Sequence, residues 1–231
     1  MPANKEDIRR AREGKREKGF PLSPGVLAEK IRQQPFYRAA TALYVEPVSL
    51  FRQVRINCLS DGKALLSPTP SLKKGFFLLR PYSIPFIRLS EAVTPRGMEK
   101  YGEILSNGEQ ASGVRIDLFV VGCLAADRRG FMIGDGNGFF DLSMAILSIW
   151  ETVAAGHLIV AVLPEEGIVE DPIDASPWDC FANLLLTEHQ VLTTEAPENR
   201  NNFPLLWDRL PEGRIRKITP LWKLRQAMKG Q

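Results

Sequence analysis

Apolar residues in this chain gather into short runs of strand length, separated by stretches of helical period. Residues 40–45 (ATALYV) form the first such run. Residues 48–59 then carry apolar side chains at 48, 51, 54, 58 and 59, a spacing that predicts a helix. Asp61-Gly62 breaks it, and Ala64-Leu65-Leu66 reads as a second buried strand stopped by Pro68 and Pro70. Upstream, residues 5–18 are densely charged, with Ile8 and Ala11 as their apolar positions, and predict a surface helix or arm ending at Gly19-Phe20-Pro21. Ser23 is placed to cap a second short helix that opens with Pro24 and closes at Pro35. The order helix, strand, helix, strand argues for a parallel sheet with crossover helices.

Further along, residues 67–90 are rich in proline, lysine and aromatics, with 85–89 as a candidate strand. Residues 114–122 (VRIDLFVVG) predict the central strand, being β-branched and nearly continuous in apolar character. A turn follows at Asp127-Arg128-Arg129-Gly130, then a glycine loop at 133–138 and an apolar helix over 139–150. Residues 158–163 predict another buried strand, followed by acidic, proline-rich loops through Pro177 and a last strand at 191–193. From Arg214 the tail is basic, with Ile218, Leu221, Trp222, Leu224 and Met228 interleaved. The fold class expected is α/β.

Size and charge sharpen this picture. A chain of 231 residues with 44% hydrophobic and 25% charged residues fits one large globular domain and excludes a disordered or collagen-like protein. No apolar run approaches the roughly 18 residues of a membrane span, since Asp117 and Gly122 interrupt 116–126. The charged start has no apolar core behind it, so no secretory signal is expected. Cys58, Cys123 and Cys180 lie far apart without a Cys-x-x-Cys pair, and read as thiols of a reducing cytoplasm. The net charge of +3 conceals a segregation. Residues 1–38 carry ten basic and five acidic residues, and 209–231 carry seven and one. The body, 39–208, carries thirteen basic and twenty-one acidic residues. Two basic arms on an acidic domain are the expected organisation, and they leave open an RNA-binding reading in which the arms contact phosphates.

The strongest local signal is Ile133-Gly134-Asp135-Gly136-Asn137-Gly138, between a strand and a helix. Glycines let the backbone approach an anion, and successive N–H groups at a helix start form an anion nest. The spacing matches neither the dinucleotide fingerprint nor the P-loop, so residues alone leave phosphate binding and a tight structural turn both open. Asp141, in the first helical turn, is either a metal-binding carboxylate or a favourable partner of the helix dipole. His157 and His189 lack a nucleophile-like context, and the three cysteines and two histidines lack zinc spacing.

In its sequence context the loop resembles the signature of the 5-formyltetrahydrofolate cyclo-ligase (methenyltetrahydrofolate synthetase) family, whose string is Arg-Leu-Gly-x-Gly-x-Gly-x-Tyr-Asp-Arg. Lys5-x-x-Ile8-Arg9 resembles the family's opening helix, and residues 65–70 (LLSPTP) and 134–142 resemble its synthetase domain-containing branch. The resemblance implies a Rossmann-like three-layer fold with a mainly parallel sheet, of the ribose-5-phosphate isomerase and CoA-transferase (NagB/RpiA-like) type. It implies ATP- and Mg²⁺-dependent chemistry, in which ATP phosphorylates the formyl oxygen of 5-formyltetrahydrofolate, N10 attacks, and phosphate leaves to give 5,10-methenyltetrahydrofolate. On that reading Lys5, Arg9, Gly134, Asp135, Gly136, Asn137 and Gly138 hold the ATP phosphates. Asp141 binds Mg²⁺ and acts in catalysis; Arg129, or its neighbour Arg128, is the candidate to reach in from the adjoining turn. Three positions depart from the family string: Met132 and Leu142 stand where it has arginine, and Phe140 where it has tyrosine. The pterin-binding glutamate expected after the first strand has no clear counterpart, Glu46 being the nearest. A diverged paralogue that binds a nucleotide or another phosphorylated ligand without cyclo-ligase activity is therefore the alternative expectation.

Overall fold

The computed structural model describes residues 5–16, 21, 23–195 and 203–229; the predicted helix stop at Gly19-Phe20 lies outside them. The chain begins with α1 (Lys5–Arg16), α2 (Pro24–Arg32) and α3 (Pro35–Ala39), then β1 (Ala42–Val45), α4 (Arg52–Ser60), β2 (Ala64–Pro68) and β3 (Phe76–Leu79). After α5 (Leu89–Ala92) and α6 (Pro95–Tyr101) come β4 (Glu103–Leu105), β5 (Ile116–Gly122), β6 (Ala125–Asp127) and β7 (Met132–Ile133). Next are α7 (Phe139–Ile149), β8 (Val153–Val162), β9 (Ile168–Val169), β10 (Leu184–Leu186) and β11 (Val191–Thr193), with α8 (Glu212–Lys217) and α9 (Thr219–Lys229) at the end.

Eight strands form one sheet in the order β11-β10-β8-β5-β1-β2-β3-β4, and β7-β6-β9 form a small second sheet. From β10 to β2 all pairs are parallel, while β3, β4 and β11 add antiparallel edges. The register sets Leu43 beside Leu65 and Leu118, and Val120 beside Val160. Alternate side chains go to opposite faces. Leu43, Val45, Leu118 and Val120 enter one core with Leu27, Ile31, Val54 and Cys58 from α2 and α4. Tyr44, Phe119 and Val121 enter the other, with Met144 and Ile146 of α7 and Ile215 and Leu221 of α8 and α9. Both sheet faces are thus covered by helices, which is why β1 and β5 read as nearly unbroken apolar runs. Asp117, the charged interruption in β5, accepts hydrogen bonds from the backbone N–H groups of Thr41 (2.8 Å) and Ala42 (3.1 Å), fixing the entry to β1.

Several expectations are corrected. Residues 85–89 are not a strand: Pro85 leads into a 3₁₀ turn at Phe86–Arg88 and then α5, leaving Phe86 and Ile87 exposed. The helix expected over 48–59 opens as a 3₁₀ turn at Ser49–Phe51 before α4. Strand β8 starts at Val153, ahead of the expected 158, and its pairing with β5 is irregular between Ile116 and Leu118. The first strand starts at Ala42 because Pro35 opens α3 instead of simply ending α2.

Candidate functional site

Strand order decides where a site can form. From β1 the chain passes through α4 to β2 on one side, and later strands β5, β8 and β10 build outward on the other. The carboxyl ends of β1 and β5 therefore flank the point where connections diverge, the position at which open α/β sheets hold ligands. Glu46 stands there, directly after β1, and its Oε2 accepts the N–H of Gly122 at 2.9 Å. From β5 the chain enters the β6–β7 hairpin and then the glycine loop.

Within that loop the Asp135 carboxylate accepts from the Asn137 backbone N–H and from its Nδ2, both at 2.9 Å. Gly136 (φ 86°) and Gly138 (φ 61°) are left-handed, a conformation costing a side-chain-bearing residue about 1–2 kcal/mol. Gly138 is the N-cap of α7 and offers no side-chain acceptor to its first-turn N–H groups. A β-carbon added at Gly134 would meet nothing within 4 Å, and one at Gly138 only Asp141 Oδ2 at 3.7 Å. Among the described residues, space is thus left beside Gly134 and Gly138, Arg9 stands at Gly136, and a hard carboxylate oxygen lies next to Gly138.

Two arginines from opposite ends of the chain flank the loop. Arg9 of α1 donates from Nε to the Gly134 carbonyl at 3.4 Å, and its side chain lines Gly136. Arg214 of α8 donates to the Asn137 carbonyl and lies over the Phe139 ring, 5.1 Å from its centroid. Asp141 is half-buried, and its Oδ1 accepts the Cys180 N–H at 2.9 Å. Burial raises its pKa above the ordinary carboxylate value and the charge of Asp179 adds to this, with the Cys180 N–H acting in opposition. Lys5 ion-pairs with Asp179 and donates to Ser176 Oγ at 3.2 Å, next to Cys180. The Cys180 thiol is itself pushed well above its ordinary range by burial and by Asp141. Lys5, Arg9, the loop and Asp141 are accordingly brought into one neighbourhood.

Arg129 is placed differently. It stands in the turn at the other end of the β6–β7 hairpin from the glycine loop. There its Nε and Nη2 donate to Asp127 Oδ2 at 3.0 and 2.8 Å, and Nη2 donates to the Ile173 carbonyl at 2.7 Å. Arg128 is engaged with the exposed Glu170. Of the three departures from the family string, the two that replace arginine are packed apolar positions: Leu142 is buried, and Met132 packs on the same core. Ser176, Asp179 and Arg214 were not singled out by sequence. The signal for Arg214 was available, because Ile215, Ile218 and Leu221 recur at helical spacing and anchor α8 and α9 in the core. His157 is buried with its Nδ1 at 3.0 Å from the Ala154 carbonyl, and burial lowers its pKa. His189 is exposed. Among the described residues no three His, Cys, Asp or Glu side chains converge to hold a metal, so a cation here would share Asp141 with oxygens of a ligand.

An open, mostly parallel sheet with a glycine loop and a helix beyond its carboxyl ends defines the class as α/β. The chain belongs to the 5-formyltetrahydrofolate cyclo-ligase family, whose match spans residues 6–188. It is 26% identical over 199 residues to the methenyltetrahydrofolate synthase domain-containing protein of Danio rerio, covering 85% of this chain and 51% of that one. The Homo sapiens protein of the same name is 26% identical over 200 residues, with 85% and 51% covered. The chain thus spans about half the length of these curated relatives. The NMR structure of Aquifex aeolicus 5,10-methenyltetrahydrofolate synthetase shares the fold, with a TM-score of 0.52 at 21% identity, covering 82% of this chain and 92% of that one. The resemblance carried by the glycine loop and residues 65–70 is borne out. Among the described residues no helix is long and apolar enough to cross a membrane.

Proposed function

We propose that this protein binds MgATP at the 134–138 loop and acts as a 5-formyltetrahydrofolate cyclo-ligase, on a Rossmann-like scaffold of the ribose-5-phosphate isomerase and CoA-transferase type. The observation that carries this reading is the loop itself: two left-handed glycines leading into α7, Asp141 beside Gly138, and the cations Arg9 and Arg214 bonded to the loop carbonyls of Gly134 and Asn137. Gly134, Gly136 and Gly138 leave room for phosphate oxygens, and the N-terminus of α7 favours negative charge there. Lys5 screens Asp179, which would otherwise add to the negative field at the phosphates. Asp141 is the residue that would share Mg²⁺ with the triphosphate. MgATP supplies activation of the formyl oxygen as a phosphate ester, so that N10 closes the ring and phosphate leaves. The chain's own task is to orient the two substrates at the β1/β5 carboxyl ends and to keep water from the activated carbon. Arg129 we assign to holding the hairpin that presents the loop.

The test is incubation with 5-formyltetrahydrofolate and MgATP, following the near-ultraviolet absorbance of the methenyl product, with Asp141→Ala as control. Turnover lost in the control supports the assignment. No turnover, together with MgATP failing to raise the unfolding temperature, removes it, since a ligand specific for the folded state must stabilise that state. A second reading is favoured by Met132 and Leu142, whose packing removes two cations from the family string. It is a paralogue that binds a phosphorylated ligand without ring closure, seen as MgATP stabilisation without product.

A further inference from the structure

Arg214 is an unusual side chain for a basic tail. Its neighbours along the chain, Arg216 and Lys217, are exposed, as a solvated face requires, whereas Arg214 is half-buried against Phe139 and the loop carbonyl of Asn137. Among the described residues no carboxylate lies within ion-pair distance of it; Asp135 and Asp141 act on it from farther away. Burial lowers its pKa, the sign of a guanidinium that has given up water without gaining a full counter-charge. Its near partners are a carbonyl oxygen and a ring, not a counter-ion, so the loss of water is only partly compensated. The arrangement is fixed from behind, because Ile215, Ile218 and Leu221 set α8 and α9 into the same core as Leu142 and Met144. An anion beside Asn137 would supply the missing counter-charge.

We propose that Arg214 is a phosphate-contacting residue of the glycine-loop site, delivered from the C-terminal helical pair. It and Arg9 would form a two-arginine clamp across residues 134–138. This rests on the nucleotide reading above and adds to it a residue from outside the stretch matched to the family, which ends at 188. The planar fork of arginine suits phosphate oxygens, and a lysine at the same place would act as a point charge only. Phe139 holds the guanidinium plane in position, so little rotamer freedom is left to lose when the ligand arrives.

The experiment is titration calorimetry of the full chain with MgATP and, separately, with inorganic tripolyphosphate, on the wild type, Arg214→Ala, Arg214→Lys and the exposed-neighbour control Arg216→Ala. Loss of one charge-assisted contact should weaken both ligands about tenfold or more in Arg214→Ala. Arg214→Lys should recover part of this, and Arg216→Ala should bind like the wild type. If the wild type binds and Arg214→Ala binds equally well, the clamp is wrong and the nucleotide reading stands. If Arg214→Ala weakens binding and lowers the ligand-free urea midpoint, and Arg214→Lys restores both completely and together, Arg214 only supports the helices and the proposal fails. If the wild type binds neither ligand, the nucleotide reading falls, and the clamp with it.

Discussion

Asp127 should be the residue on which the glycine loop's support depends most. Its side chain is almost fully buried at the end of β6. Oδ1 accepts the backbone N–H of Arg129 (3.0 Å) and of Phe131 (3.1 Å), and Oδ2 accepts the N–H of Ile173 (2.9 Å) and two donors of Arg129. Asp127→Ala leaves three backbone N–H groups without an acceptor, at about 1–3 kcal/mol each for a buried donor. Arg129 is 41% exposed and regains water, so its guanidinium adds little. Taking the low end for N–H groups that a water can reach, the loss should be about 3–5 kcal/mol. Asp127→Asn keeps the two bonds to Oδ1 but turns an amide NH₂ toward Ile173 and Arg129; about 2–3 kcal/mol is expected, for one lost acceptor and a donor facing donors. Arg129→Ala leaves all three backbone bonds intact and should cost about 1 kcal/mol, as for an ion pair with one exposed member. Urea unfolding followed by tryptophan fluorescence reads the series directly. A loss below about 1 kcal/mol for Asp127→Ala, or one smaller than that of Arg129→Ala, would refute the accounting, because the acceptor would not then be organising the hairpin.

Two further predictions concern the loop. Asp141 has a raised folded-state pKa, so its protonated form is favoured by folding; its stabilising contribution is present below the ordinary carboxylate value of 3.8 and is lost as pH rises through the folded value. Asp141→Asn, which keeps an oxygen for the Cys180 N–H, should therefore raise the urea midpoint at pH 7.5 more than at pH 4 while abolishing the protection given by MgATP; equal changes at both pH values would show that burial of the carboxylate is not what shifts it. Gly134→Ala, with open space at its β-carbon, should change stability by less than about 1 kcal/mol, whereas Gly136→Ala should lose about 1–2 kcal/mol from its φ of 86°; thermal unfolding of the two variants side by side decides it.

The parallel centre of the sheet was legible in the sequence because strands covered on both faces leave continuous apolar runs, and 114–122 is the plainest of them. Strand β3 was not, although Phe76–Leu79 is wholly apolar and buried, because the prolines and lysines on either side gave the stretch the look of a loop. Strands β6, β7, β9 and β10 are two or three residues long, too short for any period to show, and beyond the β6–β7 and β10–β11 hairpins their pairing is set by contacts distant in sequence, such as Ala126 with Ile168. For the site, the glycine loop and Asp141 were visible because their chemistry is local. Ser176 and Asp179 were hidden in an acidic, proline-rich segment, and only the fold brings them to Lys5, 171 and 174 positions away in sequence.

The loss of arginine at 132 and 142 takes a different meaning once the helices are in place. Leu142 lies in the core that Ile215, Ile218 and Leu221 also enter, so a guanidinium at 142 would be buried among apolar side chains and would lose its water. The helical pair that brings Arg214 to the loop is anchored in the same core as Leu142. On the proposal above, the cation missing at 142 is offset by Arg214, which reaches the loop from that helical pair. Met132 follows the same logic on the other side, packing on the core while Arg9 of α1 approaches Gly134 and Gly136 from outside. A double substitution that restored arginine at 142 in an Arg214→Ala background should therefore fail to recover ligand binding and should unfold at lower urea than either parent. Recovery would mean that the helices leave more room over α7 than the burial of Leu142 allows.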